Sequence, residues 1–196
     1  MSRFVKVSED TFKEIQLEAG MILNDFDPDS EADVEDAQIV CATTGGISIA
    51  CKPTYTDYGA DIDNVPNNML EFKEVEEWDC SIGFTALNAS ASVIGLSLGV
   101  ADVDGKKITP KTGSVEKYAK DVWWVGERAD GGLVACCLKN ALSTDGLNLK
   151  TTKNGKGQLS CTLTGHVSIK AQNVVPMEFY VYEGTEAAAV QEGDAE

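Results

Sequence analysis

One histidine, six cysteines and a dense set of carboxylates are the side chains from which a search for chemistry in this sequence begins. His166 lies in Leu163-Thr-Gly-His-Val-Ser-Ile169, which reads as a strand, so any Ser/His/Asp or Cys/His arrangement would have to be built around that one ring. No activated nucleophile lies nearby in sequence, and the ring reads as a strand-borne hydrogen-bonding partner. Cys41, Cys51, Cys80, Cys136, Cys137 and Cys161 contain no CxxC pair, and with a single histidine a zinc site would need an unusual ligand set. Cys80, Cys136 and Cys161 sit in apolar-rich or alternating runs, where a thiol behaves as a small hydrophobe, and vicinal Cys136 and Cys137 point to opposite faces of a strand. Asp25, Asp27 and Asp29 alternate without the glycine or the bidentate glutamate of an EF-hand loop. Lys153-Asn-Gly-Lys-Gly157 lacks the strand-to-helix setting of a phosphate loop and reads as a turn. The chain is therefore expected to have no catalytic, cofactor or metal site and not to be an enzyme.

The elements around these residues are mostly strands. Cys80, Ile82 and Phe84 are apolar while Glu77, Asp79, Ser81 and Thr85 are not, which buries one face of a strand and wets the other; the same period recurs at Leu159, Cys161 and Leu163. Residues 38–51 read as a hairpin around Gly45-Gly46. Residues 121–125 and 133–138 form a hairpin with a longer turn, and residues 147–152 and 158–164 a third whose Asn154-Gly155 supplies left-handed residues. Trp123 and Trp124 face opposite ways, one to the core and one to an interface. Met177 to Tyr182 closes the set. One helix is expected over about 88–98, with a cap at Asn88 or Ser90, an apolar stripe of Leu87, Ala91, Ile94 and Leu98, and a stop at Gly99. Gly95 inside it weakens it by up to about 1 kcal/mol relative to alanine, so the helix depends on packing.

Three segments read as irregular. Residues 24–36 are an exposed acidic loop. Residues 52–70, with Pro53, Gly59 and Pro66, form a connection longer than a hairpin needs, and long loops of this kind tend to carry function. Residues 183–196 are an acidic tail.

Composition bounds the rest. The 196 residues suffice for one domain with a substantial core. No apolar run approaches the ~20 residues of a membrane span, and residues 1–10 lack a signal-peptide core, so a soluble protein made in a cytoplasm, with reduced thiols, is expected. A net charge of −16 repels nucleic acid. The excess is uneven: residues 1–80 carry 19 acids and 5 bases, residues 81–177 carry 7 acids and 11 bases. An acidic front and a basic middle suit head-to-tail pairing of copies, although a solvated acidic loop and tail account for the same numbers.

The order of segments resembles a known family. Phe12-Lys-Glu-Ile-Gln-Leu-Glu-Ala-Gly-Met-Ile-Leu-Asn-Asp-Phe-Asp-Pro28, Ala42-Thr-Thr-Gly-Gly46, Tyr58-Gly-Ala-Asp-Ile-Asp-Asn-Val-Pro66, Lys139-Asn-Ala-Leu-Ser-Thr144, Thr151-Thr-Lys-Asn-Gly-Lys-Gly157, Leu163-Thr-Gly-His166 and Val175-Pro-Met-Glu-Phe-Tyr180 occur collinearly, as in the major tail proteins of long-tailed, non-contractile bacteriophages and prophages of Gram-positive hosts. The resemblance spans residues 11–182 and implies a β-sandwich or barrel with one flanking helix. It also implies a structural subunit assembling in the host cytoplasm into stacked, hexameric rings of a virion tail tube. Its partners would be further copies and the tape-measure, terminator and distal tail proteins, with DNA passing through the lumen without specific binding and no membrane contact. Functional positions are then surfaces. The candidate contact loop between subunits comprises Tyr55, Asp57, Tyr58, Asp61, Asp63, Val65, Met69 and Leu70; candidates for an acidic lumen are Glu74, Glu76, Glu77, Asp79 and Ser81. Competing readings are a carbohydrate- or protein-binding β-sandwich module and a tube protein of a contractile tail or secretion apparatus.

Overall fold

In the computed structural model, which describes residues 7, 8, 10–30 and 33–184, the alternating runs become the strands of two packed antiparallel layers. In chain order these are β1 (Gln16–Leu23), β2 (Ile39–Cys41), β3 (Thr43–Asp57), β4 (Lys73–Ala86), then helix α1 (Ala91–Leu98), β5 (Ala101–Asp104), β6 (Lys107–Pro110), β7 (Lys120–Arg128), β8 (Leu133–Ser143), β9 (Asn148–Lys150), β10 (Gln158–Thr164) and β11 (Met177–Tyr182). One layer runs β2-β1-β7-β8-β11 and the other β3-β4-β10, with β9 pairing the start of β10. The fold is mainly β, sandwich-like, with one helix, in agreement with the sequence reading.

β8 belongs to both layers. Its first part pairs with β7 and β11, and Leu142 and Ser143 pair with β10. The switch falls beside Asn140, which adopts φ +46°, a left-handed conformation that asparagine tolerates better than most side chains. Asn140 is held there by its N–H donating to Asp121 Oδ1 at 2.9 Å and its side-chain amide donating to the His166 carbonyl at 3.0 Å.

The core lies between the layers. Ile82, Cys80, Phe84, Leu159, Cys161 and Leu163 from one layer meet Ile22, Val122, Trp124, Cys136 and Leu138 from the other, as the period-two pattern requires. Vicinal Cys136 and Cys137 do point to opposite faces: Cys136 joins this core and Cys137 a second cluster on the outer face of the β7–β8 layer. Trp124 points inward and its indole N–H donates to the Ala19 carbonyl at 2.9 Å. Gly20, at φ +70°, makes that approach possible, because a Cβ there would lie 2.4 Å from the Val125 carbonyl oxygen and 2.7 Å from the indole nitrogen.

Several sequence expectations are corrected. Gly45-Gly46 is not a hairpin turn: both residues have positive φ inside β3 and create a bulge, while residues 39–41 pair with β1 instead. Asn154 and Gly155 do not take left-handed φ, because seven residues separate β9 from β10 and no tight turn is needed. The helix begins at Ala91, capped by Ser90 Oγ accepting from the Val93 N–H; its fully buried positions are Val93 and Ser97, Ile94 also packs on the core, and Ala91 and Leu98 are only half-buried. Gly95 earns its place there: a Cβ would come within 2.9 Å of Val103 on the β5–β6 hairpin packed against the helix. His166 follows the end of β10 in an exposed loop, 3.3 Å from the Asn140 carbonyl.

Trp123 is covered within the chain rather than at an interface. Its ring meets Phe26 edge-on at 5.7 Å and Tyr180 at 5.5 Å. Phe26 and Val34 reach it from residues 24–36, so the acidic loop packs on the sheet while its described carboxylates, Asp25, Asp27, Asp29, Asp33, Glu35 and Asp36, are exposed. Its ends are tied by the Asn24 N–H donating to the Gln38 carbonyl and the Gln38 side-chain amide to the Asp25 carbonyl. Most of the acidic tail, residues 185–196, lies outside the described residues.

Candidate functional site

The segment expected to be a loop from residue 52 starts as strand. β3 continues to Asp57 and pairs with β4 back to Lys73, in the register Lys52 to Asp79, Pro53 to Trp78, Thr54 to Glu77, Tyr55 to Val75, Thr56 to Glu74 and Asp57 to Lys73. β10 pairs with β4 only from Ser81 onward, so residues 52–79 form a two-stranded arm beyond the end of the sandwich. The alternation misses this because the arm is open to solvent on both faces, and exposure removes the polar-to-apolar contrast that marks a half-buried strand.

Residues directly opposite one another in an antiparallel pair share a face. Cys51 and Cys80 face the core, and no register shift separates them from Pro53 and Trp78. The core-side face of the sheet therefore continues into the arm as Pro53, Trp78, Tyr55 and Val75. Among the described residues nothing covers it: Tyr55 is 58%, Val75 41% and Trp78 39% exposed. The other face carries the candidate lumen residues. Asp79, Ser81 and Glu77 alternate with the inward residues of β4, and past a bulge between Thr54 and Tyr55 the Thr56 hydroxyl donates to Glu76 Oε2 at 2.6 Å, which places Glu76 beside Glu74 on that face. The structure thus brings Glu74, Glu76, Glu77, Asp79 and Ser81 together, the four acids exposed and Ser81 half-buried. Away from the arm the same face bears Ser48, Thr85, Ser160 and Thr162, so it is hydroxyl-rich, then acidic, with Lys52 as its basic residue.

The tip is built of ordered turns. The Gly59 N–H donates to Asp57 Oδ1 at 3.0 Å, and Tyr58 N–H to the Phe72 carbonyl at 2.9 Å. Asn64 and Asn68 take positive φ, and Lys73 Nζ donates to Asn68 Oδ1. Asp61 and Asp63 point to solvent at the tip; Val65 and Met69 are half-buried, and Tyr58 and Leu70 are 63% and 80% exposed. Of the eight contact-loop candidates, Tyr55 and Asp57 belong to β3 and the remaining six to the tip.

Charge separates along the chain. The arm, residues 52–79, holds eight acids and two bases, whereas residues 145–170 hold one acid and four lysines. Among the described residues Lys150, Lys153 and Lys156 in the β9–β10 connection make no ion pair within the chain.

Four of the thiols are shifted far upward. Burial is the leading cause in each case, pushing Cys41, Cys80 and Cys136 up to about 12 and Cys137 up to about 11; at Cys80 the hydrogen bond and charge of Cys51 and the nearby Asp79 add to it. All six cysteines are free. Among the described residues no helix is long and apolar enough to cross a membrane. The chain matches no known family model, and no curated protein shows significant similarity to it.

Proposed function

We propose that this protein is the repeating structural subunit of a phage tail tube, assembling into stacked rings around a conduit for DNA. The observation that carries the reading is the arm. A two-stranded ribbon is marginal by itself in water, and this one carries beside half-buried Pro53 an apolar face of Tyr55, Val75 and Trp78 that no described residue covers. The occupant of that face is a second copy of the chain. Eight acids on the arm and the unpaired lysines Lys150, Lys153 and Lys156 elsewhere on the surface make one copy complementary to the next in a head-to-tail sense, the arrangement that builds rings and tubes rather than closed dimers.

The acidic and hydroxyl-rich outer face of β3, β4 and β10 suits a lumen, since fixed negative charge keeps a passing polyanion centred by repulsion without holding it. The collinear resemblance to major tail proteins supports the same reading. In it the arm tip reaches the neighbouring ring, and the tape-measure, terminator and distal tail proteins meet the ends of the tube in the virion.

Negative-stain microscopy of concentrated protein at low salt tests this. Rings or hollow tubes are expected. A protein that stays monomeric at all concentrations and ionic strengths, alone and with its tail partners, refutes the assembly reading and leaves a monomeric binding module as the better account.

A further inference from the structure

Cys51 and Cys80 are the one cysteine pair that the described strands place directly opposite each other, and their sulfurs lie 3.2 Å apart. The remaining cysteines are opposed to other residue types: Cys41 to Ile22, Cys161 to Phe84, Cys136 to Trp124 and Phe179, and Cys137 to Trp123 and Glu178. Pro53 fixes the geometry of the pair. It has no N–H to give to β4, so its pair with Trp78 belongs to the class that does not exchange backbone hydrogen bonds. The ladder alternates, and with no register shift between the two pairs Cys51 and Cys80 belong to the same class. Cα atoms in such pairs are about 4.5 Å apart, at the near end of the span that a disulfide bridges.

We propose that Cys51 and Cys80 are a modification site, forming a reversible disulfide at the root of the arm when the folded protein meets a soluble small-molecule disulfide such as oxidised glutathione. Cys51 is half-buried and Cys80 fully buried, so the incoming disulfide meets Cys51. The Cys51 thiolate attacks one of its sulfurs, forming a mixed disulfide and releasing one thiolate. The Cys80 thiol then gives its proton to solvent and its sulfur attacks Cys51 Sγ, releasing the second thiolate. The protein loses two protons and two electrons, and the oxidant is reduced to two thiols. Burial holds Cys80 protonated, so the second step is the slow one and brief exposure leaves Cys51 in the mixed disulfide with Cys80 still a thiol.

The product staples β3 to β4 where the sandwich ends, closing residues 52–79, the whole arm, into one loop. The chemistry belongs to the single chain and does not depend on assembly. Where the assembly reading holds, the staple is installed after the particle leaves a reducing cytoplasm.

The test is thiol counting in denaturant, followed by peptide mapping, after the folded protein has stood with oxidised glutathione at pH near 8.5 for about a day. The titratable thiols are expected to fall from six to four, with one linkage between the Cys51 and Cys80 peptides, and dithiothreitol is expected to restore all six. Cys136→Ser still loses two thiols, whereas Cys51→Ser and Cys80→Ser lose none to an internal bridge. Retention of six thiols overturns the proposal, as does glutathione resting on Cys51 without transfer to Cys80, or a linkage between any other pair. Mapping of the unsubstituted protein decides the matter even if a variant fails to fold. Because the readout is taken on dispersed chains, its failure says nothing against tube assembly, and failure of assembly says nothing against it.

Discussion

Tyr55→Ser separates the arm's apolar face from the stability of the fold. Tyr55 is 58% exposed, and an aromatic side chain buries roughly 150–250 Å² when covered, so about 100 Å² of it awaits a partner. At about 25 cal/mol per Å² a neighbour that covers it gains about 2.5 kcal/mol, equivalent to roughly 50- to 100-fold in a dissociation constant. The isolated chain has little to lose. Serine in an exposed strand position costs up to about 1 kcal/mol, which lowers the melting midpoint of a domain this size by about 2–4 °C. Sedimentation velocity over a concentration series, paired with thermal melts, reads both quantities. The expected outcome is self-association shifted to roughly 50-fold or higher concentration with a midpoint within a few degrees of wild type. Unchanged self-association would remove Tyr55 from the interface. A midpoint lowered by more than about 10 °C would show that Tyr55 belongs to the core of the fold and that the arm is not an independent projection.

Four further outcomes are expected. Leu163→Ala, at a fully buried core position, should cost about 2–5 kcal/mol and lower the midpoint by about 10 °C in calorimetry. Gly20→Ala drives a Cβ into the Val125 carbonyl and the Trp124 indole from a left-handed backbone; a loss of about 3 kcal/mol in urea titration and a red-shifted tryptophan emission should accompany it. Asp130 accepts from the Gly132 N–H and pairs with buried Arg128 at 2.9 Å, which hold its carboxyl below the ordinary 3.8. Its contribution is thus complete above that value and is lost as pH falls through the folded one, so the stability gap between wild type and Asp130→Asn should narrow on acid titration below about pH 4. Replacing Lys150, Lys153 and Lys156 with glutamine should weaken self-association in light scattering at low salt and make no difference near 1 M salt, where screening acts within about 3 Å.

The parts of this fold that were legible are those in which one strand face is buried and the other wet. Cys80, Ile82 and Phe84, and again Leu159, Cys161 and Leu163, are apolar at every second position because each faces the opposite layer. Where a strand departs from that condition the pattern fails. β1 was not distinguished, since Glu18 and Gly20 take positive φ and a register shift between Leu17 and Met21 interrupts its period. Gly45-Gly46 carries the same left-handed preference whether it turns a hairpin or bulges a strand, and only the pairing of Ile47 with Phe84 decides between them. The β5–β6 hairpin was also missed, although Gly105, at φ +57° in the first position of the two-residue turn Gly105-Lys106, is the signal that marks it.

The arm shows a different kind of limit. Its alternation is intact when read through the register: Cys51, Pro53 and Tyr55 lie on one face, and Lys52, Thr54 and Thr56 on the other. What changes at Pro53 is the environment, because the opposite layer ends and the face that was core becomes surface. Among the described residues nothing covers Tyr55, Val75 and Trp78, and the proposed assembly supplies that cover from a neighbouring copy. Pro53 points the same way. With its missing N–H on the free edge of β3, it denies a further strand one ladder bond there, which disfavours sheet extension and leaves the flat apolar face as the surface that a neighbouring copy would cover in the proposed tube.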